Sequence, residues 1–226
     1  MPQPPFPNES PEYREARDRL LEAEAALRQQ TEDVAALRRN LPLGGPAKED
    51  YVFDEIGPDG GVQKTKLSEL FAPGKESLFL YGFMFGPEMK AACPLCTSML
   101  DGLNGNAVHI SQRMNLAVVA RSPIQRIQDY AATRGWTNLR LLSSANNTYQ
   151  FDYLAEDEEG NPWPMANVFV KRDDTVHHFW GSELMFKQYE GGDMRHVDPI
   201  WPLWNVLDLT PEGRGEKWYP ALDYGS

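Results

Sequence analysis

Residues 77–101 read SLFLYGFMFGPEMKAACPLCTSMLD, and the order of residue types in this stretch decides the fold. The first nine, 77–85, form an unbroken apolar run of strand length, rich in aromatics, which predicts a central strand buried on both faces. Residues 86–92 break the pattern as a loop. Pro94 then suits the first position of a helix, and Leu95, Met99 and Leu103 recur at helical spacing, so a helix is predicted from 94 to about 113. Both cysteines of the chain, Cys93 and Cys96, fall at the start of that helix.

Working outward, 116–120 (LAVVA) predicts a second buried strand. Residues 122–134 predict a helix capped by Ser122 and Pro123, with Ile124, Ile127 and Tyr130 inward, and 139–142 a short strand. The acidic stretch 155–161 reads as a solvated turn. Residues 165–170 and 175–180, joined by Asp173 and Asp174, predict a hairpin, and 199–207 a final aromatic-rich helix after a Gly191-Gly192 break. Toward the N-terminus, 51–53 and 64–66 form a small hairpin around the 58–61 turn, and 67–71 make one helical turn. Strands and helices that alternate and then end in a hairpin and a helix predict an α/β protein. Its expected form is a three-layer α/β/α sandwich with a mixed sheet, the first crossovers parallel and the hairpins antiparallel. Chemistry in such sheets gathers at the carboxyl ends of the parallel strands, where the loop after Phe85 emerges.

Ahead of this lies an extension. Ser10 followed by Pro11 is a helix start, and the helix should run to about Arg39. Tyr13, Leu20, Leu27 and Val34 recur every seven residues, with Ala16, Ala23 and Leu37 three later, which leaves one narrow apolar stripe on an otherwise charged helix. Such a stripe packs on the chain's own core or on the same helix of a second subunit, and a homodimer through it is the expectation. Residues 40–50 read as a Pro/Gly linker. The chain thus divides into an arm, helix and linker (1–50), a domain (51–209) and a C-terminal tail (210–226).

The 226 residues carry 22 Lys and Arg against 33 Asp and Glu, a net charge of −11. A phosphate-binding surface depends on basic residues, so nucleic acid is not an expected partner. No stretch approaches the roughly 18 consecutive apolar residues of a membrane span, and the N-terminal residues lack the basic and apolar regions of a secretion signal. We therefore expect a soluble, cytoplasmic protein. In that compartment structural disulfides are rare, and two cysteines are reactive, metal-binding or merely buried.

Their placement favours reactivity. At the N-cap of the 94–113 helix, Cys93 would meet unpaired backbone N–H groups and the positive end of the helix dipole, which stabilise a thiolate. Cys96 lies one turn on, within disulfide reach, as the buried resolving thiol. A lone C-x-x-C also suits half a zinc site, yet the chain offers no further thiol, and His109, His177, His178 and His196 have no compact ligand spacing. A copper(I) site with Met84, Met89 or Met99 and a purely structural pair are the other readings. His177 and His178, adjacent on a strand, point to opposite faces and cannot serve one centre.

The order of hairpin, short helix, apolar strand, C-P-x-C at a helix start, βα unit, hairpin and final helix resembles the thioredoxin superfamily. Within it, residues 81–101, the NVFVKRDDTVHHFW hairpin (167–180) and the ending LDLTPEGRGEKWYP (207–220) resemble a bacterial thioredoxin-like family of unknown function, across most of residues 10–222. The resemblance implies that Cys93 is the nucleophile and Cys96 the resolving cysteine. It implies that Pro164, with Pro162 as its rival, is the cis-proline facing the sulfurs, flanked by Trp163 and Met165 on the substrate side; two trans prolines in a loop around Trp163 are the alternative. The chain departs from thioredoxin in having Ala92 before the pair and Pro94-Leu95 inside it. Thioredoxin's buried acid has no clear match, since Pro87 stands at about that spacing and Glu88 substitutes poorly. It also lacks the peroxiredoxin pattern, with Lys90 and Gly86 where a Thr or Ser and a Pro would stand, although Lys90 can hold a thiolate by charge.

The expected function is thiol–disulfide oxidoreduction at Cys93 and Cys96 on a disulfide-containing protein or small thiol, with an external dithiol reductant and no cofactor or metal. The alternatives are a non-catalytic binding or dimerisation scaffold and a soft-metal carrier.

Overall fold

A computed structural model of the chain describes residues 5–186, 198–215 and 218–225. Residues 1–42 and 43–226 form two separate compact units.

The first unit is built on one helix, α1 (Pro11–Arg39). Its N-cap is Ser10, whose hydroxyl accepts from the Tyr13 amide at 3.1 Å, with Pro11 in the first turn. No residue of α1 is buried, and Tyr13, Leu20, Leu27 and Leu37 of the apolar stripe are all at least half exposed.

The second unit is a seven-stranded sheet: β1 (Val52–Ile56), β2 (Val62–Lys66), β3 (Ser77–Gly82), β4 (Asn115–Ala120), β5 (Arg140–Ser143), β6 (Met165–Arg172) and β7 (Thr175–Gly181), in the order β2-β1-β5-β4-β3-β6-β7. The β3–β4 and β4–β5 pairs are parallel and every other pair is antiparallel. This is the thioredoxin-like arrangement of parallel crossovers beside an antiparallel hairpin. The two crossover helices, α2 (Pro94–Ile110) and α3 (Ile124–Arg134), step across the sheet in one direction. With a common handedness, both therefore lie on one face, and their inward residues share one core with Tyr81, Phe83, Val118, Leu141, Trp201 and Trp204. The opposite core holds Tyr51, Phe53, Leu78, Leu80, Val119, Tyr149 and Phe169, with Leu67 and Leu70 of the 3-10 turn Leu67–Leu70. Alternation along β3 explains the division, since Leu78 and Leu80 point one way and Phe79 and Tyr81 the other.

Three features correct the expected boundaries. β3 stops at Gly82, three residues short of the end of the apolar run. Phe83 still donates to the Val119 carbonyl at 2.8 Å, but Phe83 and Phe85 then turn to pack with Tyr130 of α3. Gly82 sits where an added Cβ would come within 3.0 Å of the Ala155 side chain and 3.3 Å of the Met165 carbonyl, so the backbones approach closely there. Ser122 does not cap α3: the N-cap is Pro123, without a side-chain bond, and the Ser122 hydroxyl accepts from the Arg126 guanidinium at 3.2 Å instead. The final helix, α5 (Leu203–Leu207), is shorter than 199–207 and begins after Pro202.

A four-residue helix that sequence reading missed, α4 (Tyr149–Asp152), precedes the acidic turn, and a 3-10 turn, Glu183–Phe186, follows β7. Asp173 and Asp174 both adopt positive φ (46° and 64°), the requirement of the tight hairpin turn that matches strand twist. Residues 44–47 lie along the outer edge of β7, where Ala47 donates to Val176 and His178 to Gly45. At Gly44 an added Cβ would fall 2.1 Å from the His178 carbonyl oxygen, so only glycine fits. The Gly191-Gly192 break and His196 lie outside the described residues.

Candidate active site

The chain leaves β3, runs through the 83–92 loop and delivers Cys93 to the start of α2. The Cys93 amide donates to the Met84 carbonyl at 3.1 Å, which closes the loop back on the strand end. Cys93 is the N-cap of α2, with extended backbone, and its sulfur accepts from the Cys96 amide at 3.5 Å. Pro94 at the first helical position enforces this start, because it has no amide hydrogen to lose and its φ suits a helix. Both cysteines are free thiols; Cys93 is half-buried and Cys96 fully buried.

The two sulfurs are driven in opposite directions. The Cys96 thiol donating to Cys93 is the largest influence on it and, with the backbone N–H groups of Cys96 and Leu95, brings Cys93 down from an ordinary 9.0 to about 6 against the effect of burial. Burial pushes Cys96 well up, and donation to and the charge of Cys93 add to that. The pair is thereby biased at neutral pH toward a thiolate on Cys93 and a thiol on Cys96.

Three further side chains shape the site, and sequence reading singled out none of them for it. Tyr81, fully buried at the end of β3, directs its hydroxyl to Cys96 Sγ at 3.3 Å. Arg126 of α3 donates to the carbonyls of Gly86 (2.9 Å), Pro87 (3.0 Å) and Met89 and lies over the Phe85 ring, so it clamps the loop that carries Cys93. Tyr219, a half-exposed residue of the C-terminal segment, has its ionisation pushed up to about 12, chiefly by burial and then by the charges of Cys93 and Cys96, so it lies within electrostatic range of the pair. The segment is held by Arg134, which donates to the Leu222 carbonyl at 3.0 Å and also pairs with Asp101.

The other expected site residues stand differently. Pro164 is trans, as is Pro162: no cis peptide occurs among the described residues, so the expected cis-proline is overturned. The Trp163 amide donates to the Ala155 carbonyl, and its indole lines a cavity of ≈ 530 Å³ with Phe151, Leu154, Asp157 and Glu158. Met165, buried, pairs with Gly82 and accepts from Ser182 Oγ through its sulfur. Lys90 is exposed on the loop, and it is not among the groups that lower Cys93. His177 contacts the Gly44 carbonyl, while His178 meets Asn167 Oδ1 at 2.8 Å and packs on Phe169, so the adjacent imidazoles serve separate places. Trp201 and Trp204 are buried together in the core. Among the described residues, no three His, Cys, Asp or Glu side chains cluster as metal ligands.

Comparison with known proteins places the chain. Solved structures with a similar fold include peroxiredoxins. Reduced Prx3 of Vibrio vulnificus in complex with hydrogen peroxide has a TM-score of 0.45 and 12% identity, covering 70% of this chain and 96% of that one. AhpC of Enterococcus faecalis has a TM-score of 0.48 and 14% identity, covering 79% and 98%. Peroxidoxin BcpB of Mycobacterium tuberculosis has 0.46 and 15%, covering 74% and 99%. No curated protein matches the chain. The match that spans it is to a family: from residue 2 to residue 224 this chain belongs to the bacterial proteins of unknown function designated DUF899.

Proposed function

We propose that this protein is a thiol–disulfide oxidoreductase. The observation that carries the reading is the pair itself: a half-buried Cys93 at a helix N-cap, whose sulfur is held by the amide and thiol of a fully buried Cys96 one turn away. The Cys93 thiolate attacks a substrate disulfide and releases one thiol; Cys96 then attacks the Cys93 sulfur and releases the second, leaving a Cys93–Cys96 disulfide that an external dithiol reduces. We place this chemistry in the cytoplasm. No described helix is long and apolar enough to cross a membrane.

The test is a redox titration in dithiol buffers over about −300 to −120 mV, the span of cellular dithiol couples, with free thiols counted by mass after alkylation. A single two-electron transition that disappears in Cys93→Ser and Cys96→Ser supports the reading. A pair that stays reduced throughout overturns it and leaves a non-catalytic scaffold.

The form in which it acts is inferred to be a homodimer through α1. A helix of 29 residues with nothing buried lacks the packing that normally stabilises helices in proteins. Its exposed stripe at seven-residue spacing is what a second copy of the same helix would cover.

A further inference from the structure

Tyr81 is a hydroxyl placed where a hydrocarbon would serve. It is fully buried in a core built from Phe83, Leu95, Met99, Leu100 and Val118, and its flanking aromatics, Phe79 of β3 and Phe83 just beyond it, carry no polar atom. Burying a phenol is unfavourable unless its O–H finds a partner. The partner here is the sulfur of Cys96, at 3.3 Å. A neutral thiol is a weak acceptor and a thiolate a strong one, so this bond strengthens when Cys96 ionises. Cys96 ionises at one moment of the proposed cycle, when it attacks the mixed disulfide on Cys93.

We propose that Tyr81 is a catalytic residue of the resolving step, donating its hydroxyl hydrogen to the Cys96 sulfur as that sulfur becomes the attacking thiolate; the proposal rests on the oxidoreductase reading above. The step is balanced as Cys93–S–S–R + Cys96–SH → Cys93–S–S–Cys96 + R–SH. The Cys96–Cys93 sulfur bond forms, the Cys93–substrate sulfur bond breaks, Cys96 is oxidised and the substrate sulfur reduced. The Cys96 proton ends on the departing thiol. Tyr81 itself keeps its proton throughout, since burial first and the neighbouring Cys96 second oppose its ionisation. It acts as a hydrogen-bond donor and never as the base.

The two attacks separate in time with the aryl disulfide dithiobis(nitrobenzoic acid), whose coloured thiolate is released once by Cys93 and once by Cys96; with this probe the Cys96 proton passes to the buffer. Stopped-flow mixing of the full-length wild type and Tyr81→Phe, followed by intact mass, reads both phases. In Tyr81→Phe the first release should keep its rate. The second should slow about tenfold, the effect of losing one hydrogen bond to a charged group, and its pH midpoint should rise by about one unit. An unchanged second phase, or two phases slowed equally, overturns the proposal by reducing Tyr81 to packing. Fluorotyrosine at position 81, which keeps the ring and strengthens the donor, should instead move the second midpoint below wild type. An upward or absent shift overturns the proposal even where Tyr81→Phe misfolds. A wild type that releases one thiolate and keeps the adduct defeats the oxidoreductase reading itself. A wild type that releases two, matched by Tyr81→Phe, defeats the role of Tyr81 alone.

Discussion

Arg126 and Phe85 are stacked, with the guanidinium carbon 4.2 Å from the ring centroid, while the same guanidinium donates to the carbonyls of Gly86 and Pro87. A helix of one crossover thereby fixes the loop of the preceding one, and that loop sets where Cys93 enters α2. Arg126→Ala should cost about 2 kcal/mol in chemical denaturation, because partly buried carbonyls lose a charged donor. It should also slow alkylation of Cys93 at neutral pH, as the helix start becomes less fixed. Arg126→Lys should recover only part of both, since an ammonium cannot reproduce the planar fork over the ring.

Cys93 should titrate with a midpoint near pH 6, read from the pH dependence of its alkylation rate. Cys96→Ala removes the donor that most lowers it, and the midpoint should rise toward the ordinary 9.0. The sign for stability follows from linkage. A group whose folded value lies below its unfolded one contributes fully above the unfolded value, and that contribution is lost as pH falls through about 6. The stability advantage of wild type over Cys93→Ser should accordingly be larger at pH 8 than at pH 5.

Glu55 and Arg140 join β1 to β5 by two hydrogen bonds of 2.7 and 2.9 Å, in a strand pair that shares only the Asp54–Ser143 register among the described residues. Burial raises the Glu55 carboxyl, but donation from Arg140 and Thr65 outweighs it and holds the group below its ordinary 4.5. Glu55→Gln should cost about 1 kcal/mol at pH 7 after allowance for solvent screening. The difference from wild type should begin to shrink as pH falls below 4.5 and vanish once pH has passed the lowered folded value, where the native carboxylate takes up its proton. Urea denaturation at the two pH values checks both.

Leu20→Glu with Leu27→Glu should convert a dimer to a monomer in light scattering, with the Cys93 alkylation rate unchanged. A monomeric wild type, or a doubly substituted chain that remains dimeric, removes the inferred role of α1.

Arg134→Met should loosen the segment that carries Tyr219, because it removes the donor to the Leu222 carbonyl. The pH midpoint of Cys93 alkylation should stay in place, since neither Arg134 nor Tyr219 is among the groups that set it. Limited proteolysis should cut near residue 218 earlier than in wild type.

Much of the sheet and the pair was legible because local chemistry enforces them. Pro94 can only begin a helix, the 77–85 run can only be buried, and the Asp173-Asp174 turn can only fold its strands back. Tyr81 was within reach of the same reading: alternation along β3 puts it on the face of Phe79, and a buried phenol requires a partner. Arg126 and Tyr219 were not, since each meets the cysteine loop or pair from a distant part of the chain and neither belongs to a local pattern. The isomer of Pro164 depends on the tertiary packing of its loop, and the resemblance to thioredoxin pointed to the wrong one. Ser122 looked like a cap because its neighbours fit one, yet its hydroxyl is engaged by Arg126.

The complete burial of Cys96 has a kinetic consequence. In the proposed chemistry the pair has a single port: oxidant and reductant must both meet Cys93, and neither can be bound there while the other is. Donor and acceptor therefore take turns, each chain carries one electron pair per visit, and initial-rate plots against the two substrates should give the parallel lines of a ping-pong exchange.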